Sequence, residues 1–299
     1  MAQFKFGAIG TSWTIDIYRE LDPAAEAALL VRIQSRIDAF DQAYSRFRED
    51  SLVTAISKKA GTYELPDDAE LLLSLYHDLY KKTDGLVTPL IGNLISDAGY
   101  DAKYSLKTKE GLESPPEWDE AIEYRPAEQG HPPILIVKKP VLLDFGAAGK
   151  GYLIDIVAGV LEADEIHGYC INAGGDILHK NKEPLRVGLE DPEDAEKVIG
   201  ACVLPGDGVA NSIAGSAGNR RKWGKFTHII NPHTMSSPKD IIAVWVVAET
   251  ALLADAMATC LFFVPAKRII DAYDFEYVIV RKDRSLEKSA HFPGEIFVV

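Results

Sequence analysis

Apolar residues at Ile33, Ile37, Phe40, Tyr44 and Phe47 recur at alternating steps of four and three, the spacing that lines one face of a helix, and predict a helix over 24–47. A second helix is expected to open near Asp67, just after Pro66, to carry Leu71, Leu75 and Leu79, and to stop at Gly85. β-type runs follow at 134–138 and 141–145, and beyond Gly151 the residues Tyr152, Ile156 and Val160 return to helical spacing. The N-terminal stretch alternates like a strand. Further β-type runs at 166–172, 185–189, 198–204, 228–230, 241–248, 275–280 and 296–299 are interrupted by one helix pair over 250–273. Strand runs between isolated helices predict an α+β fold, with mixed and antiparallel sheets flanked by helices, and not a regular βαβ repeat. The segment 103–133 is polar and carries Pro115, Pro116, Pro126, Pro132 and Pro133, so it reads as a surface excursion and not as a clear domain boundary. A single domain over 1–299 is expected, with a core that can divide into two lobes.

Composition narrows the function classes. With 299 residues and 47% hydrophobic content the chain can bury one large core or two modest ones. A formal net charge of -13, from 45 acidic and 32 basic residues, argues against a nucleic-acid partner, because neutralising a polyanion takes clustered Lys and Arg. No apolar run approaches the roughly 20 residues of a membrane span. The longest, 251–264, is interrupted by Asp255, so no membrane insertion is expected. Cys170, Cys202 and Cys260 lie in apolar runs and read as buried, reduced thiols. Together with the lack of an export-type or lipid-bearing start, they point to a cytoplasmic location.

Five segments are candidates for chemistry. Asp144-Phe-Gly-Ala-Ala-Gly-Lys150-Gly151 leads from an apolar run into a helix, a placement that offers backbone N–H groups and a positive dipole end to an anion. Its spacing fits neither the dinucleotide nor the P-loop fingerprint, and glycines for a tight turn explain it at least as well. Asn172-Ala-Gly174-Gly175-Asp176 is a second glycine site, which a hairpin turn closed by Asp176 also explains. Asp255 and Thr259 lie four apart on one helix face among apolar neighbours. A carboxylate there needs a cation, a cap or donors. Spacing alone leaves Mg²⁺ ligation by Asp and Thr oxygens and a plain cap or salt bridge equally open. His228 opens the run His228-Ile-Ile-Asn-Pro232, and an imidazole is a side chain able to take a proton from a hydroxyl nucleophile. Ser216 with Arg220, Arg221 and Lys222 can steer a phosphate or simply form a solvated turn.

Taken in order, these segments resemble the ApbE family of FAD:protein FMN transferases. Ile9-Gly-Thr11 resembles the family's M-G-T start, and Tyr44-Ser-Arg-Phe47-Arg-Glu-Asp-Ser51 its M-S-x-[FY]-R-x-D-S segment. The stretch 144–155 resembles D-L-G-[GA]-I-A-K-G-Y-x-x-D, and 172–177 resembles N-x-G-G-[DE]-I. Residues 187–192 are similar to V-G-I-x-[DN]-P, 213–221 to V-A-T-S-G-x-x-R-R, 228–232 to H-I-I-D-P and 254–259 to A-D-A-L-A-T. The likeness covers essentially the whole chain and implies an ApbE-like, T-fold-related architecture.

By position the resemblance implies Mg²⁺ held by Asp255, Thr259 and the carbonyl of Ala147. It implies FAD contacts near Ile9, Phe47, Gly85, Leu86, Val87, Asp144, Lys150, Gly174, Gly175 and Ile229, and His228 as the base. The implied reaction transfers FMN from FAD to a Ser or Thr hydroxyl of an acceptor carrying a Ser/Thr-Gly-Ala-Ser/Thr type motif, and AMP leaves. Two rivals keep the same residues: an FAD pyrophosphatase, in which water attacks, and an FAD-binding protein without turnover. The sequence departs from the family at Ile9, Val87, Asn231, His233 and Met235, so the flavin pocket is read less sharply than the metal site.

Overall fold

The computed structural model describes residues 1–128, 130–205, 211–218 and 221–297. The chain opens with β1 (Ala2–Ala8), β2 (Thr11–Ile17), α1 (Pro23–Tyr44), α2 (Leu52–Lys58), β3 (Gly61–Glu64) and α3 (Ala69–Lys82). After a 3-10 turn at Pro89–Ile91 come α4 (Gly92–Asp97), α5 (Trp118–Ala121), β4 (Ile122–Arg125), β5 (Ile134–Val137) and α6 (Gly149–Ala163). Then follow β6 (Tyr169–Ala173), β7 (Asp176–Lys180), β8 (Leu185–Asp191), β9 (Asp194–Leu204), β10 (Asn211–Ala217), β11 (Lys222–Trp223) and β12 (Phe226–Thr227). The last elements are β13 (Ile241–Ala248), α7 (Ala251–Cys260), a 3-10 turn at Ala266–Arg268, β14 (Phe275–Arg281), β15 (Leu286–Lys288) and β16 (Gly294–Ile296). Two compact units result: Met1–Asp38 with Ala148–Arg220 and Lys239–Val299, and Ala39–Ala147 with Arg221–Pro238.

The first unit is built on an eight-stranded sheet in the order β1-β2-β6-β7-β10-β13-β14-β15, antiparallel throughout. One face carries Cys170, Ile177, Ile213, Ala243, Val247 and Val278, which pack against Leu189, Ile199, Cys202 and Leu204 from the three-stranded sheet β16-β9-β8. The alternate positions Val244 and Val246 are fully buried, and α7 packs on β10 and β13. Cover on both faces is why β13 reads as an unbroken apolar run instead of alternating. α6 lies against α7 at a glycine: a Cβ on Gly151 would overlap the carbonyl of Ala251 and lie 2.8 Å from the Asp255 Cβ. The first turn of α7 is tied down by Asp155, whose two carboxylate oxygens accept from the N–H groups of Ala251 and Leu252 at 2.9 and 2.8 Å.

In the second unit β5 runs between β3 and β4 and buries Leu135 and Val137. The rings of Tyr44 and Tyr76 meet Phe145 at centroid distances of 5.4 and 5.5 Å. A further cluster joins Leu94, Ile95, Ala98 and Tyr100 to Trp223, Phe226 and Ile230.

Several boundaries differ from the sequence expectation. The first helix ends at Tyr44, which leaves Phe47 beyond it. α3 is preceded by Asp68 and not capped by Asp67; the Asp68 carboxylate accepts from the Tyr44 hydroxyl at 2.9 Å. Residues 141–145 form no strand: Leu142 N–H goes to the Asn93 side chain and Asp144 N–H to the Pro89 carbonyl, 2.8 Å each. β6 starts at Tyr169, because Ile166 N–H still closes the end of α6 on the Leu161 carbonyl. The strand expected at 228–230 is instead the short β12 just before it. The second member of the expected helix pair is only the 3-10 turn at Ala266–Arg268. The last strand is Gly294–Ile296; positions 298 and 299 lie outside the described residues. Within 103–133, residues 103–111 are exposed, whereas Trp118, Ala121 and Ile122 return to the core. Among the described residues no helix is long and apolar enough to cross a membrane.

Candidate active site

In the first unit, the start of α6, the β6–β7 turn and α7 bring Lys150, Asp176 and Asp255 together. The Lys150 ammonium pairs with the Asp176 carboxylate and lies 3.9 Å from Asp255 Oδ1. Asp255 Oδ2 accepts from Gly151 N–H at 2.9 Å, and Asp176 Oδ1 from Gly215 N–H at 3.2 Å. Asp176 and Asp255 are 1% and 5% exposed. Burial pushes the Asp255 carboxyl above the usual carboxylate range, while Lys150 and the α6 N–H groups pull it back. Two buried carboxylates therefore share one ammonium, leaving an excess of negative charge. Thr259, half-buried, lies one turn further along α7. That excess, with a hydroxyl beside it, suits a hard cation that takes oxygen ligands and brings its own waters. Among the described residues no group of three or more His, Cys, Asp or Glu side chains is placed to hold a metal, so an ion here would rely on few protein ligands.

The β6–β7 turn frees Asp176 for this duty. Gly174 and Gly175 have φ of 63° and 101°, and the turn is closed by Asn172, whose Oδ1 accepts from Gly175 N–H at 2.9 Å. Asp176 is thus not the residue bonded back to its own turn. A Cβ on Gly174 would overlap the Thr11 hydroxyl, so the β1–β2 hairpin comes right up to this turn. At its tip Ile9 holds φ 43°, a left-handed conformation that β-branched residues rarely adopt. Ser216 is half-buried on β10; Arg220 lies outside the described residues.

The second unit gathers another set. Asp144 accepts from Gly146 N–H at 2.7 Å through Oδ1 and pairs through Oδ2 with the Arg46 Nε. Arg46 is 5% exposed; its Nη1 donates to the Tyr100 carbonyl at 2.7 Å and its guanidinium carbon lies 4.2 Å from the centre of the Phe47 ring. Ala147 is half-buried in the turn leading to α6. Gly85, buried at φ 79°, ends α3, with Tyr80 and His233 close around its Cα; Leu86 is half-buried and Val87 buried, its N–H taken by the Thr83 hydroxyl. His228 is half-buried after β12, with its N–H on the Arg221 carbonyl, and Ile229 is buried. Asn231 Oδ1 accepts from the N–H groups of both His233 and Thr234 at 2.9 Å, a turn an aspartate oxygen closes equally well.

Sequence reasoning missed Arg46 and Asp155. Each binds a partner about a hundred positions away; Asp155 at least breaks an apolar run, whereas Arg46 sits in a mixed, charged segment that gives no local signal.

A profile described as the ApbE family matches residues 9–278. The FAD:protein FMN transferase of Escherichia coli K12 is 26% identical over 274 residues, covering 84% of this chain and 75% of the relative. That of Klebsiella pneumoniae strain 342 is 25% identical over 272 residues with the same coverage. Among solved structures, the flavin transferase ApbE from Vibrio cholerae aligns with a TM-score of 0.76 at 20% identity over 96% of each chain. An ApbE protein from Thermotoga maritima aligns at 0.78 and 22% identity, over 98% of this chain and 99% of its own. A profile match over most of the length, on a shared α+β fold, establishes that the chain belongs to the ApbE family.

Proposed function

We propose that this chain transfers the FMN half of FAD to a Ser or Thr hydroxyl of an acceptor protein, releasing AMP, with Mg²⁺ as cofactor. The observation that carries the reading is the Lys150 ammonium at the start of α6, shared between the buried carboxylates of Asp176 and Asp255. Names of the curated relatives point the same way.

The acceptor oxygen attacks the phosphorus of the FMN half, the bond from that phosphorus to the oxygen of AMP breaks, and the hydroxyl proton passes to His228. Asp255 and Thr259 are the side chains that would hold Mg²⁺, which when bound neutralises charge on the pyrophosphate. Lys150 and the N–H groups at the α6 N-terminus offer positive charge and donors to phosphate oxygens. Asp176 pairs with the Lys150 ammonium and so fixes where that charge lies. Gly174 and Gly175 let backbone approach without a side chain in the way.

The test mixes purified protein with FAD and Mg²⁺, with and without an acceptor domain bearing a Ser/Thr-Gly-Ala-Ser/Thr motif. AMP and a flavinylated acceptor formed only together support the transferase. AMP without acceptor identifies a pyrophosphatase, and intact FAD in both mixtures a binding protein.

A further inference from the structure

The two helices of the first unit's site are tied to each other by a reciprocal pair of caps. Asp155 lies four residues after Gly151 on α6, and Asp255 four residues after Ala251 on α7. Each carboxylate, one turn inside its own helix, accepts from N–H groups that open the other. Asp255 Oδ2 takes Gly151 N–H at 2.9 Å, and the two oxygens of Asp155 take Ala251 and Leu252 N–H at 2.9 and 2.8 Å. The first N–H groups of a helix have no partner within it, so these bonds join the pair at its least satisfied ends. Between the caps there is no room for a side chain: a Cβ on Gly151 would overlap the Ala251 carbonyl.

This interlock decides which oxygen α7 offers. With Oδ2 bonded to Gly151, Asp255 has Oδ1 facing Lys150 at 3.9 Å, and Thr259 follows four positions along the same helix. Two ligands on one helix serve one ion only while that helix keeps its height and rotation against α6. Thr250 caps α7 as well, accepting from Leu253 N–H at 3.2 Å, but it is exposed and this bond is local to the start of α7.

We propose that Asp155 is a positioning residue for the cation site, holding α7 where Asp255 Oδ1 and the Thr259 hydroxyl serve one divalent ion. The proposal rests on the assignment of Asp255 and Thr259 as metal ligands above. Asp155 acts through the helix that carries both, and is not itself a ligand.

Mn²⁺ stands in for Mg²⁺ in the test. Its binding to the purified protein, free of flavin, is followed by loss of the free-ion EPR signal in the wild type, Asp155→Asn, Asp155→Glu, Thr250→Ala and Asp255→Asn. Asp255→Asn should lose the ion and so identify the site being counted. Asp155→Asn keeps only one acceptor oxygen, and Asp155→Glu keeps the charge on a side chain one methylene too long. Each should weaken Mn²⁺ about tenfold or more, the usual loss when a group that orients metal ligands is changed. Thr250→Ala removes a cap from the same turn but not the tie to α6, so it should lower the melting temperature and leave Mn²⁺ affinity within about twofold. Wild-type affinity in both Asp155 variants overturns the proposal. Wild-type affinity in Asp155→Glu alone also overturns it, since the charge of Asp155 and not its reach would then be at work. An equal loss in Thr250→Ala reduces the effect to the stability of α7 and overturns it too. A wild type that takes up no Mn²⁺, or an Asp255→Asn protein that binds it as the wild type does, removes the metal assignment itself.

Discussion

Asp255 is the residue on which the metal assignment turns. Asp255→Asn keeps the volume and the capacity to accept from Gly151 N–H, but removes one of the two buried carboxylates around Lys150. We expect Mg²⁺-dependent release of AMP to fall by at least about a hundredfold with the melting temperature nearly unchanged; full turnover at ordinary Mg²⁺ would sink the assignment. His228→Ala should act on the proton alone, slowing transfer on the order of 10²- to 10⁴-fold while FAD affinity measured by fluorescence stays within about twofold. A variant that loses FAD affinity with its turnover rate intact makes His228 a binding group. These residues stand out in the sequence because each breaks a local pattern: an acid on an apolar helix, a lysine in a glycine turn, a histidine ahead of an apolar pair. Arg46 does not, because a guanidinium and the carboxylate it meets 98 positions away leave no joint trace in a single sequence. Met235 adds a contrary case. It holds φ 49° and packs against the Tyr100–Trp223 cluster, so burial of its side chain overrides a backbone preference that favours glycine.

Among the elements, helices and strands with one clear period were readable, and those whose cover comes from elsewhere were not. β13 was found as apolar β-type sequence because both its faces are buried, but 141–145, also largely apolar, forms no ladder. Its N–H groups are claimed by Asn93 and Pro89, partners that periodicity does not reveal. The seat of α7 was equally hidden, since Asp155 reaches it from α6. Burial raises the Asp155 carboxyl from its ordinary 3.8 to about 6, more than its hydrogen bonds to Ala251 and Leu252 lower it. The folded protein therefore holds this proton where the unfolded chain has released it, so the group's contribution is greatest below about pH 4 and is lost as pH rises toward 6. Denaturant titrations of wild type and Asp155→Asn at pH 4, 5, 6 and 7 should show the wild type's stability, relative to the variant, declining across pH 4–6 and level above. A difference that grows with pH would mean that the cap on α7 outweighs the burial.

At the scale of the whole molecule, charge is the property the sequence states outright. On the proposed reading the net of -13 surrounds a site that accepts a pyrophosphate dianion, and among the described residues of the first unit Lys150 and the helix N-terminus beside it supply positive charge there. Long-range repulsion and short-range attraction then act on FAD over different distances, and salt screens the first far more than the second. Raising ionic strength from about 10 mM to about 150 mM shortens the screening length from roughly 30 Å to roughly 8 Å, beyond which the distant carboxylates no longer repel the ligand. The association rate of FAD, followed by stopped-flow fluorescence in EDTA, should therefore rise with salt over that range, while the dissociation rate changes little. Magnesium present during the measurement should flatten the dependence, since a bound divalent ion adds attraction close to the phosphates. An association rate that falls steadily with salt would show that FAD is drawn in by a local basic funnel and not slowed by the acidic surface. Arg221 and Lys222 would then be the first residues to neutralise, because both are exposed beside the β11–β12 hairpin.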